Sequence, residues 1–202
     1  ARFPALAGRY HLYVSYACPW AHRTLLTRVI KGLTKAISFD VVDTYLGEQG
    51  WTLSGDESGA TGDSLNHFTT LRDAYLTSSP AFEGRVTVPV LWDKESRCIV
   101  NNESSEIIRF FNSEFQSVAE HPDVDLYPDR LRGEIDEINE WVYHCINNGV
   151  YRAGFATRQE AYEEAAHMLF SALDHLEARL ATRRFLFGSR LVETRLFMRH
   201  PD

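Results

Sequence analysis

Of the three cysteines in this 202-residue chain, Cys18 stands in the context that makes sulfur chemistry. The stretch Tyr16-Ala17-Cys18-Pro19-Trp20-Ala21-His22-Arg23 follows an aromatic and β-branched run, Tyr10-His11-Leu12-Tyr13-Val14, that reads as a strand, and helical patterning takes over from residue 21 to residue 30. Pro19 suits a first helical turn, because its missing N–H would have had no intrahelical partner there. Cys18 therefore falls at or near an N-cap. Unpaired backbone N–H groups and the positive end of the helix dipole favour an anion at that point, so a thiolate is stabilised, with Arg23 and His22 adding positive charge nearby. The alternative is a cysteine that only packs against the sheet. Proline directly after it, at a strand-to-helix turn, is unusual for a packing residue.

A strand, Cys-Pro-x-x and a helix form the opening of a thioredoxin-like fold. Ala21 occupies the place of the second cysteine of a C-x-x-C pair, so no local resolving thiol exists and an external one must act. Glutathione is the obvious candidate. Residues 37–42 read as a second strand after Gly32, which completes a βαβ unit with parallel strands.

Two further positions fit a peptide ligand. Residues 86–92 read as a strand with Pro89 inside it; a cis Val88-Pro89 bond reconciles the two and leaves the amide and carbonyl of Val88 to pair with an extended peptide. Residues 97–100 form the next strand, joined by the turn Asp93-Lys94-Glu95-Ser96. Asn101-Asn102-Glu103-Ser104-Ser105-Glu106 then opens a helix capped by Asn102 or Glu103, whose free N–H groups make an anion site or serve simple capping.

The remaining chain is read more coarsely. Residues 43–86 are polar and long, with a short helix through Phe68, Leu71 and Tyr75 capped by Asp63 or Ser64, the rest being loop. Trp51 in that stretch either stacks on a ligand or covers the edge of the core. Residues 114–130, with Pro122 and Pro128, read as a linker. A helix runs from Leu131 to about Asn147, with Asn148-Gly149 ending or bending it. Thr157-Arg158-Gln159-Glu160 has the pattern of a capping box for a helix whose stripe of Tyr162, Ala166, Leu169, Phe170, Leu173, Leu176 and Leu180 is mostly core. Residues 191–197 begin another helix.

Composition removes other classes. Acidic residues outnumber basic ones by 28 to 21, a net charge of −7 that offers no footprint for nucleic acid or an anionic membrane. No run approaches the length of a membrane span, and no signal segment opens the chain. An odd count of three cysteines without framework spacing fits a reducing cytosol, and eight scattered histidines lack metal-ligand spacing. Neither G-x-G-x-x-G nor G-x-S-x-G occurs.

The sequence resembles the glutathionyl-hydroquinone reductases, the Xi class of glutathione transferases. The stretches that carry the resemblance include Ala17-Cys18-Pro19-Trp20-Ala21-His22-Arg23, Gly50-Trp51, Thr87-Val88-Pro89-Val90-Leu91-Trp92-Asp93, Ile99-Val100-Asn101-Asn102-Glu103-Ser104-Ser105-Glu106 and Asn147-Asn148-Gly149-Val150-Tyr151-Arg152-Ala153-Gly154-Phe155. It implies a thioredoxin-like α/β domain (residues 1–113), a linker (114–130) and an all-α domain (131–202) that reads as truncated. Cys18 would be the nucleophile, and Tyr151 the proton shuttle to the departing ring. Trp51, Arg85, Val86, Thr87, Val88, Glu103 and Ser104 would hold glutathione as co-substrate, and the protein would be a cytoplasmic homodimer without a metal. Two other readings are a related omega-like thioltransferase or dehydroascorbate reductase, and a non-catalytic glutathione-binding module.

Overall fold

The computed structural model describes residues 2–194, and the chain divides after Val124 into two compact units. The first unit runs β1 (Tyr10–Val14), α1 (Pro19–Ile30), β2 (Ile37–Val41), β3 (Leu46–Gly47), β4 (Gly50–Trp51), α2 (Leu71–Ser78), β5 (Val90–Asp93), β6 (Cys98–Asn101) and α3 (Ser104–Ser113). Its main sheet has the order β2-β1-β5-β6; β1 is parallel to β2, from Tyr10 opposite Ile37 to Val14 opposite Val41, and β5 is antiparallel to both β1 and β6. The expected βαβ unit and hairpin are both present, but β5 begins at Val90, so Pro89 stands just before the strand and not inside it.

All five residues of β1 are buried, which explains its weak alternation: a central strand covered on both faces needs no polar side. Helix α1 lies against α3, and α2 against β6. Between α1 and β2 the chain turns through Gly32 at φ +66°, where an added Cβ would stand 2.5 Å from Cβ of Glu120. A left-handed conformation and a close approach both require glycine there.

The long polar stretch is more ordered than its composition suggests. A two-stranded hairpin, β3 and β4, occupies part of what reads as loop, and α2 starts later than expected. Its cap is Thr70 in a capping box with Asp73, replacing Asp63 or Ser64. Asp63 instead folds the next turn: its carboxylate accepts the backbone N–H groups of Leu65, Asn66 and Phe68 and the hydroxyl of Tyr13.

The second unit is helical. Helix α4 (Arg132–Val142) continues through a π-helical turn (Tyr143–Asn147) into α5 (Asn148–Gly154), so Asn148-Gly149 lies where the helix changes pitch and does not end it. Helix α6 (Gln159–Leu180) has Arg158 at its N-cap with no side-chain cap, so the capping box expected at Thr157 does not form. Its stripe is also corrected. Ala165, Ala172 and Leu176 are buried, whereas Tyr162, Phe170, Leu173 and Leu180 are exposed. The small core of this unit joins Val142, Ile146, Ala172, Leu176 and Leu186. The helix expected over residues 191–197 runs beyond the described residues. Among those described, no helix is long and apolar enough to cross a membrane.

Candidate active site

Cys18 is the N-cap of α1, with extended backbone angles (φ −97°, ψ 114°) and Pro19 in the first turn. Its own N–H donates to the carbonyl of Ser15 at 3.1 Å, and its carbonyl accepts the N–H of His22 at 3.0 Å, the first bond of the helix. The N-cap side chain makes no bond to the helix. The sulfur is thereby left at the helix mouth, where the first-turn N–H groups and the dipole favour a negative charge.

Across from it, the Val88-Pro89 bond is cis. The half-buried Sγ of Cys18 lies 3.7 Å from the carbonyl oxygen of Val88, which links positions 70 residues apart. Val88 precedes Val90, the first residue of β5. Beside it, Thr87 is fixed by Tyr75, whose hydroxyl donates to the Thr87 carbonyl at 2.9 Å, and by Asn102, whose Nδ2 donates to Thr87 Oγ1 at 3.2 Å.

Asn102 leads directly to the start of α3. Glu103 is its N-cap and accepts from the N–H of Ser105, while Ser104 is the first helical residue. Cys18, Thr87, Val88, Glu103 and Ser104 are thus joined through contacts between α1, the β5 approach and α3.

In the sequence Arg23 reads only as nearby charge. The structure places its guanidinium inside, 2 % exposed, with Nε and Nη2 donating to Ser104 Oγ at 2.9 and 2.7 Å. Tyr75 and the side-chain reach of Asn102 toward Thr87 were likewise missed. The only sequence signal for Arg23 is its distance of five residues from Cys18, on a helix already singled out.

Trp51 is half-buried at the end of β4 and packs against the core; Arg85 is exposed in the segment between α2 and β5, and Val86 is half-buried. Tyr151 belongs to the second unit, on α5, partly exposed and stacked parallel to Phe155 at 6.2 Å.

The polar insertion is held by buried carboxylates. Burial pushes the Asp40 carboxyl up, but hydrogen bonds from His11 and from Ser64 outweigh it and hold the group below the usual carboxylate range. Asp43 behaves alike: burial is outweighed by bonds from Thr52, Ser54 and Gly55. Against this scaffold lies an open depression of about 640 Å³ lined by Thr52, Ser54, Thr61, Ser64 and His67 among others. None of the Cys18 constellation lines it. Among the described residues no cluster of three or more His, Cys, Asp or Glu could hold a metal ion.

A cysteine-capped helix after the first strand, facing a cis-proline approach to an antiparallel strand, with a helix N-terminus beside it, defines a thioredoxin-like domain of the glutathione-transferase kind. Residues 17–114 match the family model of the glutathione S-transferase N-terminal domain. The chain is 53% identical over 200 residues to the glutathionyl-hydroquinone reductase PcpF of Sphingobium chlorophenolicum, covering 98% of this chain and 63% of that relative. It superimposes with a TM-score of 0.93 and 51% identity on the glutathione-bound structure of YqjG from Escherichia coli, covering 96% and 63% of the two chains. With glutathione transferase Xi 1 of Trametes versicolor the TM-score is 0.93 and the identity 50%, covering 98% of this chain and 69% of that one.

The chain belongs to the Xi-class glutathione transferases. It spans somewhat less than two thirds of the length of the reductase PcpF.

Proposed function

We propose that this protein reduces glutathionyl-hydroquinones to hydroquinones at the expense of glutathione. The observation that carries the reading is the placement of Cys18: an N-cap sulfur 3.7 Å from the Val88 carbonyl, with the α3 N-terminus close by in the same unit. The identity to PcpF, named a glutathionyl-hydroquinone reductase, supports the same reaction.

In the first step the Cys18 thiolate attacks the glutathionyl sulfur of the substrate. A bond forms between the two sulfurs and the carbon–sulfur bond to the ring breaks; the electron pair leaves with the ring carbon, which takes a proton from Tyr151. The hydroquinone departs. In the second step a glutathione thiolate attacks the mixed disulfide, restores Cys18 and leaves as glutathione disulfide. The α3 N-terminus, with Glu103 and Ser104, receives the γ-glutamyl end; the Val88 backbone pairs with the cysteinyl unit; Trp51, Arg85, Val86 and Thr87 complete the glutathione site. Residues 1–113 serve as the glutathione-binding domain, 114–130 as a linker and 131–202 as part of a helical domain, in a cytoplasmic homodimer.

The test is turnover of glutathionyl-menadiol with excess glutathione, comparing the protein with Cys18→Ser, and mass measurement of a glutathione adduct on Cys18. Loss of both turnover and adduct in the serine variant is expected. A serine variant that keeps its rate removes Cys18 from the reaction.

A further inference from the structure

Beneath the two residues that would meet the γ-glutamyl end lies one buried cation. Arg23 projects from α1, and its Nε and Nη2 donate to a single acceptor, Ser104 Oγ, at 2.9 and 2.7 Å. The same Nη2 stands 3.6 Å from Glu103 Oε1, and the guanidinium lies 5.0 Å from the centre of the Trp20 ring. Arg23 is 2 % exposed, whereas the Glu103 side chain is 60 % exposed.

Each contact has a consequence for a ligand. A serine hydroxyl has two lone pairs and one proton; with both lone pairs turned to the guanidinium, the proton is what it has left to give. Ser104 is thereby set as a donor, the polarity a carboxylate needs. Glu103 is drawn toward the same cation at its base while Ser105 N–H and Oγ hold Oε1 at 3.2 and 3.0 Å, so its carboxylate keeps one place at the solvent edge. A carboxylate in that place suits an ammonium group. Burying a guanidinium is costly unless its donors are used, and packing alone would be met by a neutral side chain.

We propose that Arg23 is a positioning residue for the zwitterionic end of glutathione: it fixes the Ser104 hydroxyl toward the α-carboxylate and the Glu103 carboxylate toward the α-ammonium. This rests on the proposed glutathione site and adds the device that orients it. The side chain acts through Ser104 and Glu103 and stands apart from the reacting sulfurs.

The test compares two disulfides as oxidants of Cys18, followed by mass. In both, the Cys18 thiolate attacks one sulfur, a new disulfide forms, the old one breaks and a thiolate leaves. Glutathione disulfide carries the zwitterionic end; hydroxyethyl disulfide has neither charge. In Arg23→Met the rate with glutathione disulfide should fall about tenfold, the scale of a lost hydrogen bond to a charged group, and the rate with hydroxyethyl disulfide should stay within about twofold. Arg23→Lys, which keeps the charge with a single prong, should recover part of the loss, and adding Ser104→Ala to it should cost less than Ser104→Ala costs alone. Should Arg23→Met not fold, the lysine variant and that double-variant comparison decide by themselves. Equal losses with both disulfides, or full additivity with Ser104→Ala, would make Arg23 merely structural and overturn the proposal. A protein with native Arg23 that does not distinguish the two disulfides, and in which Ser104→Ala changes nothing, would instead remove the glutathione site itself.

Discussion

The two units bury their apolar residues in different ways. In the first, a four-stranded sheet gathers Leu12, Tyr13, Val14, Ile37, Val90 and Trp92 into one core from which solvent is excluded, and the helices on it close over that core. In the second, α6 presents small residues, Ala165 and Ala172, together with Leu176 to its neighbours, and Phe170 is left 62 % exposed. The lesson is that hydrophobic periodicity fixes which residues could be buried, while packing chooses among them. The site constellation built around Cys18 lies in the unit where that choice is complete.

The comparison can be broken most sharply in the two cores. Leu12→Ala should cost about 3–5 kcal/mol, the range for a fully enclosed aliphatic side chain, whereas Phe170→Ala should cost under about 1 kcal/mol although it deletes more atoms. Hydrogen exchange at the β1 and α6 amides reads the two separately. Equal losses would mean that the exposure of α6 does not describe the folded protein.

Acid should act on the first unit through its carboxylates. Burial pushes the Asp93 carboxyl up, but the two-pronged bond from Arg9, at 2.8 and 2.6 Å, together with Ser96, holds it below the usual range. Asp40 and Asp43 are lowered too. A carboxyl lowered in the folded state binds fewer protons there than when unfolded. Its contribution is therefore complete above the ordinary carboxylate value of about 4 and drains away as the pH falls below it. Denaturation midpoints measured from pH 6 to pH 2.5 should decline over that window, and Asp93→Asn should flatten the decline. A flat profile in the unsubstituted protein would contradict these shifts.

The finest distinction concerns two threonines with similar sequence patterns. Thr70 caps α2 in a capping box, so Thr70→Ala should cost about 1 kcal/mol. Thr157 caps nothing, so Thr157→Ala should stay within about 0.5 kcal/mol, as measured by chemical denaturation.

Local chemistry determined a good part of this protein from the sequence alone. Pro19 and the change of periodicity marked Cys18 as an N-cap; the Val88-Pro89 position marked the cis bond; Glu103 was legible with Asn102 as a cap because its carboxylate accepts from Ser105, only two residues on. These features depend on neighbours a few residues away. Tertiary structure decided what depends on distant partners: the approach of Val88 to Cys18 across 70 residues, and that of Ser104 to Arg23 across 81. It also moved the α2 cap to Thr70, gave Asp63 to a turn, and left Phe170 outside. The physical reason is common to all of them. A side chain's hydrogen-bonding type is written in the sequence, but which donor it meets, and which face of a helix is covered, is set only when the sheet and helices have packed.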